Sequence, residues 1–262
     1  MSEGSSSFRP TARPGGEEGW DMEWVGDARL AAGPEAACYL EAAFTPGAHL
    51  GSVYDDPTTP IVVTRIEELT TIRVPSGRLV VDAPWDDDEI WEYGRGLPTR
   101  PPRELAVSIP PGVYRVEIAW TSGPYEFFGE LCDGVETAAT RLCVSDDPVV
   151  GWEMALGVDE DIDRLRAGDE PRFYSDANVG CFADAAAWTT LSAPFRKVVD
   201  GIPAPRDTEQ LADGCERVRD ESHRADLVTF GAESGGVVWL GRTRTGDVAM
   251  IVVTTGMADA PA

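Results

Sequence analysis

Glycine and proline punctuate this chain from one end to the other, and that spacing limits it to short elements joined by turns. With 27 glycines and 20 prolines, the expectation is a mainly β protein rather than a helical one. Residues 113–120 carry the clearest strand. Val113, Arg115, Glu117 and Ala119 would share one face, and Tyr114, Val116, Ile118 and Trp120 the other, giving a polar side and a core side. Pro110-Pro111-Gly112 turns the chain into that strand, and Pro75-Ser76-Gly77 separates a β-branched run ending at Val74 from a strand over 78–82. Near the C-terminus, residues 237–240 and 248–254 flank RTRTGD, a hairpin with Gly246 in its turn.

Further strands are expected over 105–109, 137–144 and 149–155. A short helix is expected over 34–44, where Pro34 opens a run of Ala, Leu and Glu. Another is expected over 159–167, acidic at its start and arginine-rich at its end. Residues 173–174 read as a strand, 175–180 as a turn, and 182–188 as the start of a helix; 202–224 is polar and without a clear period. The count is nine or ten strands with two or three short helices, an antiparallel β-sandwich or barrel-like sheets. Residues 1–19, rich in Ser, Gly, Pro and Glu, read as a disordered tail, and 257–262 as a second tail. Residues 20–256 read as a single mainly β globular domain, with the Pro/Arg-rich stretch 98–103 as the joint if it has two lobes.

Charge narrows the partners. Forty-six acidic residues against 22 basic ones give a net charge of −24, and Lys197 is the single lysine. Such a field repels phosphate backbones and anionic lipid, so no nucleic acid and no membrane are expected, and a basic protein partner is favoured. MSEGSSSFRP lacks the apolar core of a secretion signal, and no window reaches 18 apolar residues. Five cysteines without a CxxC pair suit reduced thiols, hence a cytoplasmic location.

The densest polar chemistry lies in RFYSDANVGCFADAAAW, residues 172–188. Asp176, Asn178 and Asp184 stand at positions 1, 3 and 9 of a calcium-type loop, so calcium or another divalent cation is the ion such a site would take; no other cofactor is expected. Cys181 occupies the sixth position, where that loop needs glycine, and Ala187 the twelfth, where it needs a bidentate glutamate. The structural alternative is a turn in which Asp176 and Asn178 bond nearby backbone, with Asp184 capping a helix. Cys181 is a nucleophile candidate beside the expected helix start, with His223 or His49 as its base. An enzyme reading, hydrolase or metal-dependent, therefore rests on Asp176, Cys181, Asp184 and His223. A binding reading rests on Asp86, Asp87, Asp88 and Glu89 between Trp85 and Trp91, an acidic run that is otherwise a solvated loop. A sensor reading makes Trp85, Trp91, Trp188 and Trp239 the walls of a small-molecule pocket. No Gly-rich phosphate loop, nucleophile elbow or zinc spacing is present.

Five segments occur in a recognisable order: TTIRVPSGRLVVDAPW, IPPGVYRVEIAW, TAATRLCVSDDPVVGWEMA, FYSDANVGCFADAAA and GGVVWLGRTRTGDVAMIVVTTG. Together they resemble the bacterial domain-of-unknown-function family numbered 4241, over about residues 60–256. The resemblance implies a single-chain, mainly β protein with no assigned reaction. In that family the central stretch resembles an Asp-Ala-Gly turn followed by Phe-Ala/Met-Asp. Asp176, Ala177, Phe182, Ala183 and Asp184 fit it, while Asn178 stands where glycine is usual. Relatives often carry a Gly-Asp-Gly-x-Tyr-Pro turn before the last hairpin; here Gly231-Ala232-Glu233-Ser234-Gly235-Gly236 lacks the aspartate and the tyrosine. The leading expectation is a non-enzymatic, acidic intracellular binding protein for a basic protein partner, for example a toxin-neutralising immunity protein.

Overall fold

In the computed structural model the chain is described for residues 26–52, 60–84, 101–127, 130–165, 170–175, 178–196, 198–199, 202–203 and 207–254. Both expected tails, the acidic run with its two tryptophans, Asp176 and the first half of the 98–103 joint lie outside them. The elements, in chain order, begin with helix α1 (Pro34–Ala42) and strands β1 (His49–Ser52), β2 (Pro60–Val74) and β3 (Arg78–Asp82). Next come β4 (Glu104–Ser108), β5 (Gly112–Phe127), β6 (Glu130–Cys143), β7 (Gly151–Met154), β8 (Arg172–Phe173) and β9 (Val179–Asp184). Helix α2 (Trp188–Ser192) follows, then the short pieces β10 (Val198–Val199), β11 (Ile202–Pro203) and β12 (Glu209–Gln210). The described chain closes with β13 (Glu216–Asp220), β14 (Ala225–Gly231), β15 (Gly236–Arg242) and β16 (Val248–Thr254).

All the strand pairings are antiparallel. The larger sheet runs β1-β2-β5-β6-β16-β15-β7, with β8 also on β15, and the smaller runs β12-β13-β14-β9-β3-β4. Both sheets are open, so the architecture is a sandwich rather than a barrel. Its interior follows from the two-residue period of the strands. Ile72, Tyr114, Val116 and Ile251 from the larger sheet meet Leu79, Val81, Phe182 and Phe230 from the smaller one in a single buried cluster. The alternation read at 113–120 is observed over 113–118, with Tyr114, Val116 and Ile118 buried and Val113 and Arg115 exposed, whereas Ala119, expected on the polar side, is buried as well.

Each sheet also buries part of its outer face. Leu40 and Ala43, on and just after α1, pack on Trp152, Val237, Trp239 and Val252 of the larger sheet. Trp188 and Leu191 of α2, with Phe195 just after it, pack on Val80, Cys181, Ala183 and Leu227 of the smaller sheet. Four layers result: helix, sheet, sheet, helix.

Turn chemistry holds the strands in register. Gly77 takes φ +70° in the turn between β2 and β3, and a Cβ there would lie 2.3 Å from the Ile109 carbonyl oxygen. The last hairpin turns at Gly246, φ +88°, as its sequence requires. Where β2 runs beside β14, charged groups cover its backbone. The Arg73 amide donates to Asp226 (2.8 Å), and Arg217 donates to the Thr70 hydroxyl (2.6 Å), tying one sheet to the other.

Two expectations change. Residues 182–188 do not begin a helix: Phe182, Ala183 and Asp184 complete β9, and a single 3-10 turn over Ala185–Ala187 precedes α2. Its alanines give this stretch local helical character, with Asp184 as a possible cap, but β9 is hydrogen-bonded on both sides, to β3 and to β14, and that tertiary pairing decides its conformation. The second concerns 159–167, where the described part is only a 3-10 turn, Ile162–Arg164, capped by Asp161. The polar region 202–224 supplies an edge of the smaller sheet through β12 and β13.

Candidate functional site

β9 is the inner strand on which the candidate residues converge, so its two faces decide what they can do. Phe182 points into the sandwich, while Cys181 and Ala183 point outward, beneath α2. Asp184, of the same parity as Phe182, therefore leaves the strand on the face opposite to Cys181. The two side chains that the enzyme reading joins are separated by the sheet itself.

Cys181 is fully buried. Burial, with the Asp82 carboxylate beside it, pushes its thiol well above the usual range. It stands within a strand rather than at a helix start, so no helix dipole lowers that pKa. A thiol in this position stays protonated near neutral pH and is a poor nucleophile.

Asp184 is also buried, and both of its oxygens are engaged. One accepts the Ala186 amide at 2.9 Å, capping the 3-10 turn, and the other accepts the Ser76 amide at 2.8 Å. The carboxylate thus fastens the β2–β3 turn to the end of β9, as the capping alternative required for one of its two bonds.

Asn178 adopts φ +57°, a conformation asparagine tolerates better than most side chains. Its side-chain oxygen accepts the Ser234 amide at 3.1 Å, and its backbone carbonyl accepts the Ala232 amide at 2.8 Å. The two segments in which the sequence departs from the family pattern, at 178 and at 231–236, are therefore bonded to each other at one end of the sandwich. Gly235 completes that contact: at φ +104°, a Cβ would fall 2.1 Å from the Phe173 carbonyl oxygen.

His223 lies elsewhere, in the turn between β13 and β14. Its Nδ1 is 2.7 Å from Asp220, and Asp220 also accepts the Ser222 hydroxyl at 2.6 Å. These donors, Ser222 foremost, hold the Asp220 carboxyl below the usual carboxylate range. Serine, histidine and aspartate are thus neighbours, but Ser222 sits 3.1 Å from the same Nδ1 that faces the aspartate. A triad needs the serine on the other ring nitrogen, so this is a turn lock and not a nucleophile with its base. His223 shares the outer side of the smaller sheet with Cys181, but Thr229, the partner of Cys181 on β14, lies four residues from Ala225 at the start of that strand. That is roughly 13 Å at the rise of a β-strand.

What sequence reasoning missed is a polar row across the smaller sheet. Asp82 on β3 pairs with Cys181, Cys181 pairs with Thr229, and the Thr229 hydroxyl accepts the amide of Glu216 at 2.7 Å. Asp82, Cys181 and Thr229 are all buried. Strand register alone creates the row, so no local motif announces it. Asp82 accepts the amides of Ala83 and Arg103, which binds the start of β4 to the end of β3. The tryptophans of the sensor reading divide as well. Trp188 lies outside the smaller sheet and Trp239 outside the larger, so these two do not share a wall. Among the described residues, no three His, Cys, Asp or Glu side chains are grouped to hold a metal ion, and no helix is long and apolar enough to cross a membrane.

The electrostatic pattern is more distinctive than any of these clusters. Twelve arginines are ion-paired to carboxylates of the same chain. Some pairs are partly buried, such as Arg103 with Glu160 and Arg242 with Glu153. Among the described residues the positive charge is largely matched internally, in a chain whose carboxylates outnumber its basic residues by 24.

A scaffold of this kind, an open antiparallel β-sandwich with a helix on each outer face, defines the structural class. The chain belongs to the family described as "Protein of unknown function (DUF4241)", whose model matches residues 72–259. The match opens inside β2, so α1 and β1 lie outside it. No curated protein and no solved structure matches the chain.

Proposed function

We propose that this protein is an acidic, non-enzymatic binding module of the cytoplasm that engages a basic protein partner; toxin neutralisation is one concrete form. The observation that carries this reading is the internal matching of its arginines in a chain of net charge −24. A surface with so large an excess of carboxylates attracts basic proteins at long range and gives fast, salt-sensitive association. The candidate side chains also fit a scaffold better than a reaction centre. Cys181 is buried and protonated, Asp184 is bonded to two amides, and Asp220 and His223 lock a turn.

The test is capture from native lysate on the immobilised full chain at low salt, followed by binding measurements on each purified protein recovered. The expected result is a high-pI protein whose dissociation constant rises steeply as salt is raised from about 50 to 500 mM, as screening of long-range attraction requires. Recovery of no salt-sensitive basic partner would overturn the reading.

A further inference from the structure

Arg103 Nη1 and the indole nitrogens of Trp120 and Trp152 are buried donors without an acceptor, and so are donors of Trp188 and Arg196, two side chains that also touch each other. Trp188 is only 7% exposed, and its indole Nε1–H has no hydrogen-bond acceptor. Arg196, half-buried at the end of the 3-10 turn Ala193–Arg196, has its Nε–H in the same condition. The guanidinium carbon lies 5.8 Å from the centre of the Trp188 ring, so the two side chains flank one place. Buried donors are almost always matched in folded proteins. Here two adjacent ones lack an acceptor.

A guanidinium donor bonds an anionic acceptor more strongly than a neutral one, which favours a carboxylate here. The rest of the chain sharpens the point. Twelve other arginines are matched to carboxylates, in a protein with 46 acidic residues to draw on, yet no described carboxylate pairs with Arg196. The neighbouring walls are apolar: Leu191 and Phe195 are buried in the same cluster as Trp188. Arg196 is the only one of these four side chains that reaches solvent appreciably, which makes its side of the cluster the way in. The overall negative field works against anions at a distance, so a charge alone would be held poorly. A carboxylate on an apolar body gains from burial what it loses to that field.

We propose that Trp188 and Arg196 form a binding site for a carboxylate carried on an apolar or aromatic group, on the outer face of the smaller sheet beside α2. The site is independent of the acidic-surface reading and stands whether or not a basic partner exists. In it the carboxylate accepts from the Trp188 Nε1–H and from Arg196, while its apolar part lies against Leu191 and Phe195.

The experiment follows indole N–H resonances of the full-length ¹⁵N-labelled protein by two-dimensional NMR, with the Trp188 signal assigned from W188F. Benzoate is the probe and benzamide its neutral counterpart. The expected result is a saturable shift of the Trp188 indole resonance with benzoate and none with benzamide. R196Q, a change at a half-buried position, should weaken benzoate binding by about tenfold, the scale of a charge-assisted hydrogen bond. The indole resonances of the other tryptophans report whether R196Q keeps the fold. A Trp188 signal unmoved at millimolar benzoate overturns the proposal. So does an equal response to benzamide, or a folded R196Q that binds as tightly as the parent.

Discussion

Phe182→Ala is expected to lower the stability of this protein by about 3–5 kcal/mol, the range for truncating a fully buried aromatic side chain. Phe182 has no exposed surface and stands 4.8 Å, ring centre to ring centre, from Phe230. It is on β9, the strand held on both sides by neighbours, and it fills the space between the two sheets. Removing the ring leaves a cavity that paired strands on either side cannot close. Phe182→Leu refills part of the volume and should cost clearly less. Thermal or urea unfolding of the two variants beside the parent gives both numbers. For a domain of this size the alanine variant should melt roughly 10 °C lower. A loss under about 1 kcal/mol would mean that Phe182 is not in the core, and the assignment of residues 179–184 to a central strand would fall with it.

Asp226→Ala is expected to cost about 3 kcal/mol for a different reason: it removes the buried half of a partly buried ion pair and leaves the Arg73 amide without its acceptor. Asp226 is 3% exposed and accepts from the backbone amide of Arg73 (2.8 Å) and from its guanidinium (2.7 Å at Nη2). Arg73 is on β2 of the larger sheet and Asp226 on β14 of the smaller, so the pair fastens the sandwich along one side. Glu221 also meets Arg73, at 3.0 Å, but its side chain is 71% exposed and contributes little on its own. Glu221→Ala should therefore change stability by less than about 1 kcal/mol. Chemical unfolding of the two single variants separates the buried contact from the exposed one. Equal effects would show that the clasp does not depend on burial.

The legible part of the fold was the part written in local patterns. Tyr114, Val116 and Ile118 alternate with polar residues, and Pro75-Ser76-Gly77 and Gly246 can serve as turns whatever surrounds them, so these elements were readable directly. Residues 182–184 misled because the alanines around Asp184 favour helix and Asp184 can cap one, while the ladders that make them a strand come from residues about 45 and 100 positions away. The candidate site suffers from the same limit. Cys181 and Asp184 are three residues apart, close enough to look like one constellation, yet an odd spacing on a strand places them on opposite faces. The row of Asp82, Cys181 and Thr229 joins three distant segments through register alone, and nothing in any one segment announces it. The unmatched donors of Trp188 and Arg196 were equally hidden, because a missing acceptor is visible only once every neighbour is placed.

The central structural claim is that the stretch from Asn178 to Asp184 is scaffold: Asn178 holds the 231–236 turn, and Asp184 holds the β2–β3 turn and a 3-10 cap. The most direct test is thermal unfolding of the purified full chain with EDTA, and then with calcium, magnesium or zinc added back. Carboxylate and amide oxygens already bonded to backbone are poor cation ligands, so the expected result is one melting temperature under all four conditions. A cation binding only the folded protein would add about 2.7 kcal/mol at a hundred times its dissociation constant, a shift of several degrees. Such a shift, abolished in a folded Asp184→Asn variant, would contradict the account and make residues 176–184 a metal site.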